Sequence, residues 1–382
     1  MKTYVFPGQG SQAKGMGEGL FDQYPDLVKK ADKILGYSIK ELCLQDTNGE
    51  LGKTQYTQPA LYVVNALSYF KQIDESGEKP DFVAGHSLGE FNALLAAECF
   101  DFETGLKLVK KRGELMSQAP EGAMAAILNM PKDDILKVLK DNNLNNIDVA
   151  NYNTFSQIVI SGAFKEIGEA EFVFQDAGAR YYPLNTSGAF HSRFMKPSGE
   201  KFESYLKRFK FSEPKIPVVA NVTAAPYAGG EIITNLSNQI SGSVRWSESV
   251  LNLLKIAAEQ GEEMEFVEIG HGDVLTKIIA KIRVETAEEL ECVKMAQNTE
   301  AQASAPEQKV SVIFDIAENA TAEDIVIQWN KQFSVGTRVT STTEGYGDLE
   351  TRTEAVVLFG HRAAVYMKGY NGYFDLREVT PA

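Results

Sequence analysis

Ser87 stands in Gly85-His86-Ser87-Leu88-Gly89, closed by Glu90, where an apolar run, Phe82-Val83-Ala84, gives way to a helical pattern from Phe91 to Phe100. A serine between two glycines at a strand-to-helix turn is placed to act as a nucleophile. The glycines let neighbouring backbone pass close, and the hydroxyl is pushed out at the tip. The same pentapeptide also suits a plain Gly-Ser turn, so the chemistry needs a base. Of the four histidines, His86 lies inside the turn, His271 in a Gly-His-Gly turn and His361 near the C-terminus. His191, in Ser187-Gly188-Ala189-Phe190-His191-Ser192, is the best candidate to act on Ser87; the alternative is a hydrogen-bonded structural histidine. Pro7-Gly8-Gln9-Gly10-Ser11-Gln12-Ala13 contains Gly-x-Gly-x-x-Ala, which raises a dinucleotide fingerprint. Residues 25 to 46 read as helical, however, and no strand ending in an acidic residue follows at about 20 residues on. A Walker loop fails for want of Gly-Lys-Ser/Thr. What remains is a tight loop that could supply one donor to an oxyanion hole, or a plain turn. Arg112 lies among Lys107, Lys110, Lys111 and Glu114, neighbours that by themselves suggest a solvated helix face.

The elements that must position these groups read in order. A short strand covers 3 to 6, and Thr57-Gln58-Pro59-Ala60 opens an apolar helix, Leu61 to Phe70, with Pro59 near its first turn. Asp101 to Ser117 is an amphipathic helix with Leu106, Val109, Leu115 and Met116 inward. From Gly122 the pattern is strand 123–128, helix 132–140, strands 147–152 and 157–161, helix 165–177, strand 181–184. This β-α-β-β-α-β order predicts a ferredoxin-like insertion of roughly 65 to 70 residues. His191 follows at its exit. Residues 216 to 222 read as a strand, 235–240 as a polar helix, 246–260 as a helix, 266–269 as a last core strand and 274–282 as a helix. Strands separated by helices predict an α/β sheet. Residues 284 to 309 have linker composition. Beyond it, strands at 310–314, 338–341, 354–358, 363–367 and 373–378, a helix near 322–333, and turns such as Gly345-Tyr346-Gly347 predict a small β-rich domain, a barrel among the options.

With 43% hydrophobic and 24% charged residues in 382, composition is that of an ordinary globular protein long enough for two or more domains. Cys43, Cys99 and Cys292 are far apart, which predicts neither a disulfide framework nor a zinc site and points to a reducing cytoplasm. Pro7-Gly8 interrupts the N-terminal apolar run too early for a signal peptide, and no run reaches transmembrane length. A net charge of −14 disfavours nucleic acid and anionic membrane as partners.

Together, Pro-Gly-Gln-Gly-Ser-Gln at 7 to 12, Thr-Gln-Pro-Ala at 57 to 60, Gly-His-Ser-Leu-Gly-Glu at 85 to 90, Arg112 and Gly-Ala-Phe-His-Ser at 188 to 192 resemble malonyl-CoA:acyl carrier protein transacylases. The likeness runs from residue 1 to about 283. It is nearest to the discrete trans-acting acyltransferases of polyketide and hybrid peptide-polyketide synthases, with the fatty-acid-synthesis transacylase next. The resemblance implies Ser87 as the nucleophile that takes malonyl from coenzyme A, with His191 as base and later acid in a dyad oriented by main-chain carbonyls, here that of Gln239. It implies an oxyanion hole from the amides of Gln9 and Leu88, and a pocket lined by Gln58 and Asn153. It also gives Arg112 a role that its neighbours hide: a fork onto the free carboxylate of malonyl, which trans-acting acyl hydrolases lack. Phe190 should narrow the pocket against an α-methyl group. Two departures bear on substrate choice, Thr154-Phe155-Ser156 in place of Ser-Pro-Gly and Gly188 in place of a histidine or similar residue.

The implied organisation is an α/β-hydrolase-like core (1–121 and 189–283), the ferredoxin-like subdomain (122–188), a linker (284–309) and a β-rich domain of unassigned role (310–382). No permanently bound cofactor and no metal is implied. The resemblance implies an acidic acyl carrier protein as partner, which Lys107, Lys110 and Lys111, or Lys277, Lys281 and Arg283, could receive. Two other functions are compatible with parts of the sequence: hydrolysis of acyl groups from carrier proteins, and tethering of a polyketide or peptide synthase through the C-terminal domain.

Overall fold

Tyr4, Val5 and Phe6 are buried, as are Val83 and Ala84, which is what strands covered on both faces require. They belong to a computed structural model that describes residues 1–293, 316, 320–342, 349–370 and 372–381. The chain is a mixed α/β protein of two compact units, Met1–Gln297 and Asn298–Ala382. The first runs β1 (Lys2–Phe6), α1 (Leu20–Gln23), α2 (Pro25–Leu35), α3 (Ile39–Leu44), α4 (Thr54–Ser76), β2 (Phe82–Gly85), α5 (Gly89–Ala96), α6 (Phe102–Ser117), β3 (Ala123–Leu128), α7 (Lys132–Asp141), β4 (Ile147–Tyr152), β5 (Gln157–Gly162), α8 (Phe164–Asp176), β6 (Arg180–Pro183), α9 (Lys196–Leu206), β7 (Val218–Val219), α10 (Ile232–Ser241), α11 (Trp246–Glu259), β8 (Glu265–Glu268) and α12 (Val274–Glu285).

The main sheet is parallel, in the order β7-β2-β1-β8. Phe6 pairs with Gly85 at the carboxyl ends of β1 and β2, and His86 N continues the ladder to Phe6 O at 3.0 Å. That register sets the loop after β1 beside the turn after β2. Asn65 of α4 fixes the pair, donating Nδ2 to Pro7 O at 3.0 Å and to Asn92 Oδ1 of α5 at 3.3 Å.

Four further strands form an antiparallel sheet, β4-β5-β3-β6. Its own core includes Ile127, Ile135, Ile160 and Phe174, with α7 and α8 packed on it. The edge strand β4 is covered by the segment after α10: Val244 N donates to Ala150 O at 2.8 Å and Tyr152 N to Val244 O at 2.9 Å. An edge left open would expose unpaired amides; here the small sheet is joined to the larger layer beside the chain that follows α10.

Several elements depart from sequence expectation. α4 begins at Thr54, so Pro59 is inside the helix and not in its first turn. The missing N–H deprives Gln55 O of a partner, but burial of the run Thr57–Leu67 holds the helix. The strand expected over 216–222 is laddered only at Val218 and Val219. Ala224 adopts φ 56° and donates its N–H to Ala220 O, turning the chain back. α12 continues to Glu285 and residues 287–293 are helical too, so the described part of the expected linker is helix; 294–309 lies outside the described residues.

In the second unit the helix Ala322–Gln332 opens on a capping box of Thr321 and Asp324. The described strands form two three-stranded antiparallel sheets: Arg338–Ser341 between Leu349–Glu350 and Val379–Pro381, and Arg362–Tyr366 between Val356–Leu358 and Tyr373–Asp375. The bridge between Thr351 and Met367, flanked by Arg352 N donating to Tyr366 O and Lys368 N to Glu350 O, each at 2.8 Å, links them. The strand expected to run to Glu378 stops at Asp375, whose Oδ1 accepts from Arg377 N at 3.0 Å and starts a 3₁₀ turn. The expected strand at 310–314 and the turn Gly345-Tyr346-Gly347 lie outside the described residues.

Candidate active site

Ser87 follows β2 with φ 51°, a left-handed conformation for a residue with a Cβ. The crossing of strand and helix there leaves no room for side chains. A Cβ on Gly85 would lie 1.9 Å from Gly89 C, and one on Gly89 would lie 2.0 Å from Phe6 O. Asn221, just past β7, staples the turn: its Oδ1 accepts from Ser87 N at 2.7 Å and its Nδ2 donates to Gly85 O at 2.6 Å.

His191 also has positive φ, 58°. Its Nδ1 is 2.8 Å from Gln239 O and 3.1 Å from Gly242 O. Carbonyls only accept, so Nδ1 carries the proton in this arrangement. Nε2, 2.8 Å from Ser87 Oγ, is therefore the acceptor for the serine hydroxyl. Burial, followed by the positive charge of Arg112, pulls the imidazole from 6.5 down to about 3. It is neutral at pH 7, the state a general base requires.

Arg112 is not on a solvated face. It is 1% exposed, on the side of α6 that carries Leu108, Val109, Leu115 and Met116, all buried. Its Nη2 donates to Ser87 Oγ at 3.1 Å and to Gln239 Oε1 at 2.9 Å. The guanidinium carbon sits 5.7 Å from the centre of the Phe91 ring, and Nε has no hydrogen-bond partner among the described residues. Burial lowers its pKa to about 10, against the pull of Glu90 in the other direction; it stays charged at neutral pH. A buried cation with an unused donor beside the Ser87 hydroxyl suits an anionic acyl substituent.

The remaining expected residues fall as follows. The amides of Leu88 and Gln9 donate to no other group among the described residues, and a Cβ on Gly8 would be 3.6 Å from Leu88 N. The two loops thus close on one another with those N–H groups free. The Gln9 side chain turns away to Thr54 Oγ1, 3.2 Å. Gln58 is buried against α6, its Nε2 3.3 Å from Met116 Sδ and its Oε1 unpaired. Asn153 Oδ1 is 2.8 Å from His86 Nε2, tying the turn to the small sheet; burial lowers the His86 pKa. Phe190 is buried, and a Cβ on Gly188 would come 2.8 Å from its ring. A cavity of about 500 Å³, lined by Tyr152, His191, Arg193, Lys196, Gly242 and Ser243 among others, reaches His191 between the small sheet and α10. His361 belongs to the second unit and is exposed.

Sequence reasoning did not assign Asn221, Gly242, Tyr227 or the side chain of Gln239. Only Asn221 carried a signal, a polar residue interrupting an apolar strand run. The two lysine clusters are arranged as follows. Lys110 donates to Ile34 O at 2.9 Å, Lys111 pairs with Glu114, Lys277 with Asp273 and Lys281 with Glu285, while Arg283 bonds Met264 O and covers the Phe266 ring. The cations of both clusters other than Lys107, which is exposed, have partners within the fold.

The family described as acyl transferase domain matches residues 3–312. The chain belongs to that family. This acyl transferase is 54% identical over 285 residues to the polyketide biosynthesis malonyl CoA-acyl carrier protein transacylase PksC of Bacillus subtilis (strain 168), covering 74% of this chain and 97% of that one. It is 53% identical over 287 residues to the polyketide biosynthesis protein PksE of the same organism, covering 75% of this chain but 37% of PksE. Among solved structures, the malonyl CoA-acyl carrier protein transacylase from Burkholderia pseudomallei superposes with a TM-score of 0.74 at 57% identity, over 75% of this chain and 99% of that chain. The acyl transferase match ends before most of the second unit. Among its described residues no helix is long and apolar enough to cross a membrane.

Proposed function

We propose that the chain transfers malonyl from malonyl-CoA to the phosphopantetheine thiol of an acyl carrier protein through a malonyl-Ser87 ester, in polyketide or fatty-acid biosynthesis in the cytoplasm. The observation that carries this is the buried Arg112 guanidinium, 3.1 Å from a serine that is itself 2.8 Å from a neutral imidazole. In the first half-reaction His191 Nε2 takes the Ser87 proton as Oγ attacks the thioester carbon. The negative charge that develops on the carbonyl oxygen meets the Leu88 and Gln9 amides, each such donor being worth on the order of 3 kcal/mol. Collapse expels the coenzyme A thiolate, which takes the proton from His191. In the second half-reaction His191 deprotonates the carrier thiol, the thiolate attacks the ester, and the proton returns to Ser87 Oγ. The neighbours of Nδ1 keep the imidazole oriented throughout, and Arg112 holds the malonyl carboxylate in both halves.

The same proposal covers the finer architecture: an α/β-hydrolase-like core at 1–121 and 189–283 with a ferredoxin-like subdomain at 122–188. The parallel order β7-β2-β1-β8 and the antiparallel order β4-β5-β3-β6, with a helix after β3 and after β5, support it. The cavity between these layers is the route by which either thioester reaches Ser87, and Phe190 narrows the acyl pocket. Incubation with malonyl-CoA should leave a malonyl ester on Ser87, detectable by peptide mass spectrometry and lost in Ser87→Ala. Absence of the adduct in the unaltered protein would refute the function. Hydrolysis as the main outcome would instead release free malonate faster than it loads carrier protein.

A further inference from the structure

Glu90 has no exposed surface and lies in the first turn of α5, three residues after the nucleophile. The helix N-terminus favours negative charge there, but an ionised carboxylate without solvent must be fully bonded. Three donors converge on it: Tyr227 OH at 2.5 Å and Asn221 N at 3.2 Å on Oε1, and Gln239 Nε2 on Oε2. The malonyl-transfer steps do not use this carboxylate, so its role lies in what it holds.

The side-chain amide of Gln239 stands between Glu90 and Arg112. Its Oε1 accepts from Arg112 Nη2, and its Nε2 donates to Glu90 and, at 2.8 Å, to Ser87 O. Turned over, the amide would set its NH₂ against a guanidinium that only donates, and its oxygen against a carboxylate and a carbonyl that only accept. Once Glu90 is ionised, above about pH 7, charge on both flanks therefore enforces one orientation. Apart from Ser87 Oγ, the Gln239 oxygen is the acceptor that locates the guanidinium. We propose that Glu90 is a positioning residue which, through the Gln239 amide, fixes Arg112 beside the nucleophile and so sets the preference for an acyl group bearing a carboxylate. This rests on the malonyl-transfer function proposed above. In Glu90→Gln the new NH₂ can donate to Gln239 Oε1, which allows the amide to turn and present its own NH₂ to Arg112.

The test compares kcat/KM for malonyl-CoA and acetyl-CoA in the full chain. Glu90→Gln should lower the malonyl value at least about tenfold more than the acetyl value, mainly through KM. Gln239→Met, which keeps the volume and removes the amide, should do the same even if Glu90→Gln does not fold. Adding Glu90→Gln to Gln239→Met should change the ratio by less than about threefold further, since the two act through one contact. Equal losses for both substrates, or an unchanged ratio in Gln239→Met, would overturn the role of Glu90. A protein that forms no malonyl-Ser87 ester, or whose preference survives Arg112→Met, would overturn the proposed function itself, an outcome these ratios keep separate.

Discussion

Replacing Arg112 by methionine removes a buried charge while keeping an unbranched stem over Phe91. If Arg112 forks onto the malonyl carboxylate, the variant loses two charge-assisted hydrogen bonds, each contributing about 1.5–3 kcal/mol, and leaves an anion in a pocket from which water is excluded. A net loss of about 3–4 kcal/mol corresponds to a fall in kcat/KM for malonyl-CoA of roughly 10² to 10³. Acetyl-CoA has no carboxylate and should be affected only a few-fold. A second readout is independent of binding. Arg112 is, after burial, the largest influence depressing the His191 pKa, so its removal should move the acid limb of the acylation rate to higher pH. The assay is single-turnover formation of the Ser87 ester, followed by mass spectrometry against pH with each thioester. A variant that retains malonyl preference, or loses both substrates equally, would show that Arg112 is a structural cation and not the substrate clamp.

Other consequences are as direct. Gly85→Ala and Gly89→Ala each force a Cβ to within about 2 Å of backbone, and should destabilise by more than about 4 kcal/mol, read as loss of soluble protein or a collapsed thermal transition. Acylation should show no protonation of the base down to well below pH 6.5, because His191 stays neutral to about pH 3; a half-maximal rate near pH 6.5 would contradict its burial. Stability should carry two opposed slopes. The unfolded chain protonates His191 below 6.5 while the folded chain does not until about 3, so that contribution is lost as pH falls through this window. Glu90, raised from 4.5 to about 7 chiefly by burial, holds a proton in the fold that the unfolded chain has released, so stability falls as pH rises from 4.5 to 7. Between 4.5 and 6.5 the two oppose one another. Denaturant titration across that range should show stability rising more steeply with pH in Glu90→Gln and falling in His191→Gln. A chain ending at Gln297 should retain malonyl transfer, because every proposed site residue lies in the first unit; lost activity would assign the second unit a part in the site.

The legible and illegible parts of this molecule divide by range. Gly85 and Gly89 announced the turn because close backbone approach is a local demand that only glycine meets. The β-α-β-β-α-β stretch was readable because each element carries its own periodicity. Arg112 shows how local evidence can mislead: its lysine and glutamate neighbours are exposed or half-buried, yet the spacing of Leu108, Val109, Leu115 and Met116 put position 112 on the inner face of α6. Residue type outweighed geometry there, and the family resemblance corrected it. Pro59 misled in the opposite direction, since its usual place at a helix start hid the fact that burial keeps α4 continuous through it. Asn221 left only the trace of a polar residue in an apolar run, and Tyr227 and Gly242 were out of reach, because each serves the site from a distant segment and no spacing rule links them to Ser87.

Backbone strain shows why those distant residues matter. Ser87 and His191, the two residues proposed to exchange a proton, both occupy the left-handed region, a conformation that costs roughly 1–2 kcal/mol for a residue with a Cβ. Glycine would relax either position and abolish its chemistry, so the strain must be met by fixed contacts. Asn221 meets it at Ser87 by bonding the backbone on both sides of the turn. At His191 the backbone amide donates to Ile240 O at 3.3 Å, while the ring is held by Gln239 O and Gly242 O. Beyond it, Arg193 N and Nε reach Asp148 of β4 at 2.8–3.0 Å. The small sheet thus supports the base directly. Asp148→Asn should slow transfer with either thioester several-fold while shifting stability by about 1 kcal/mol or less, because the pair is partly solvated. A rate unchanged by this substitution would show that the carbonyls after α10 are sufficient to hold His191.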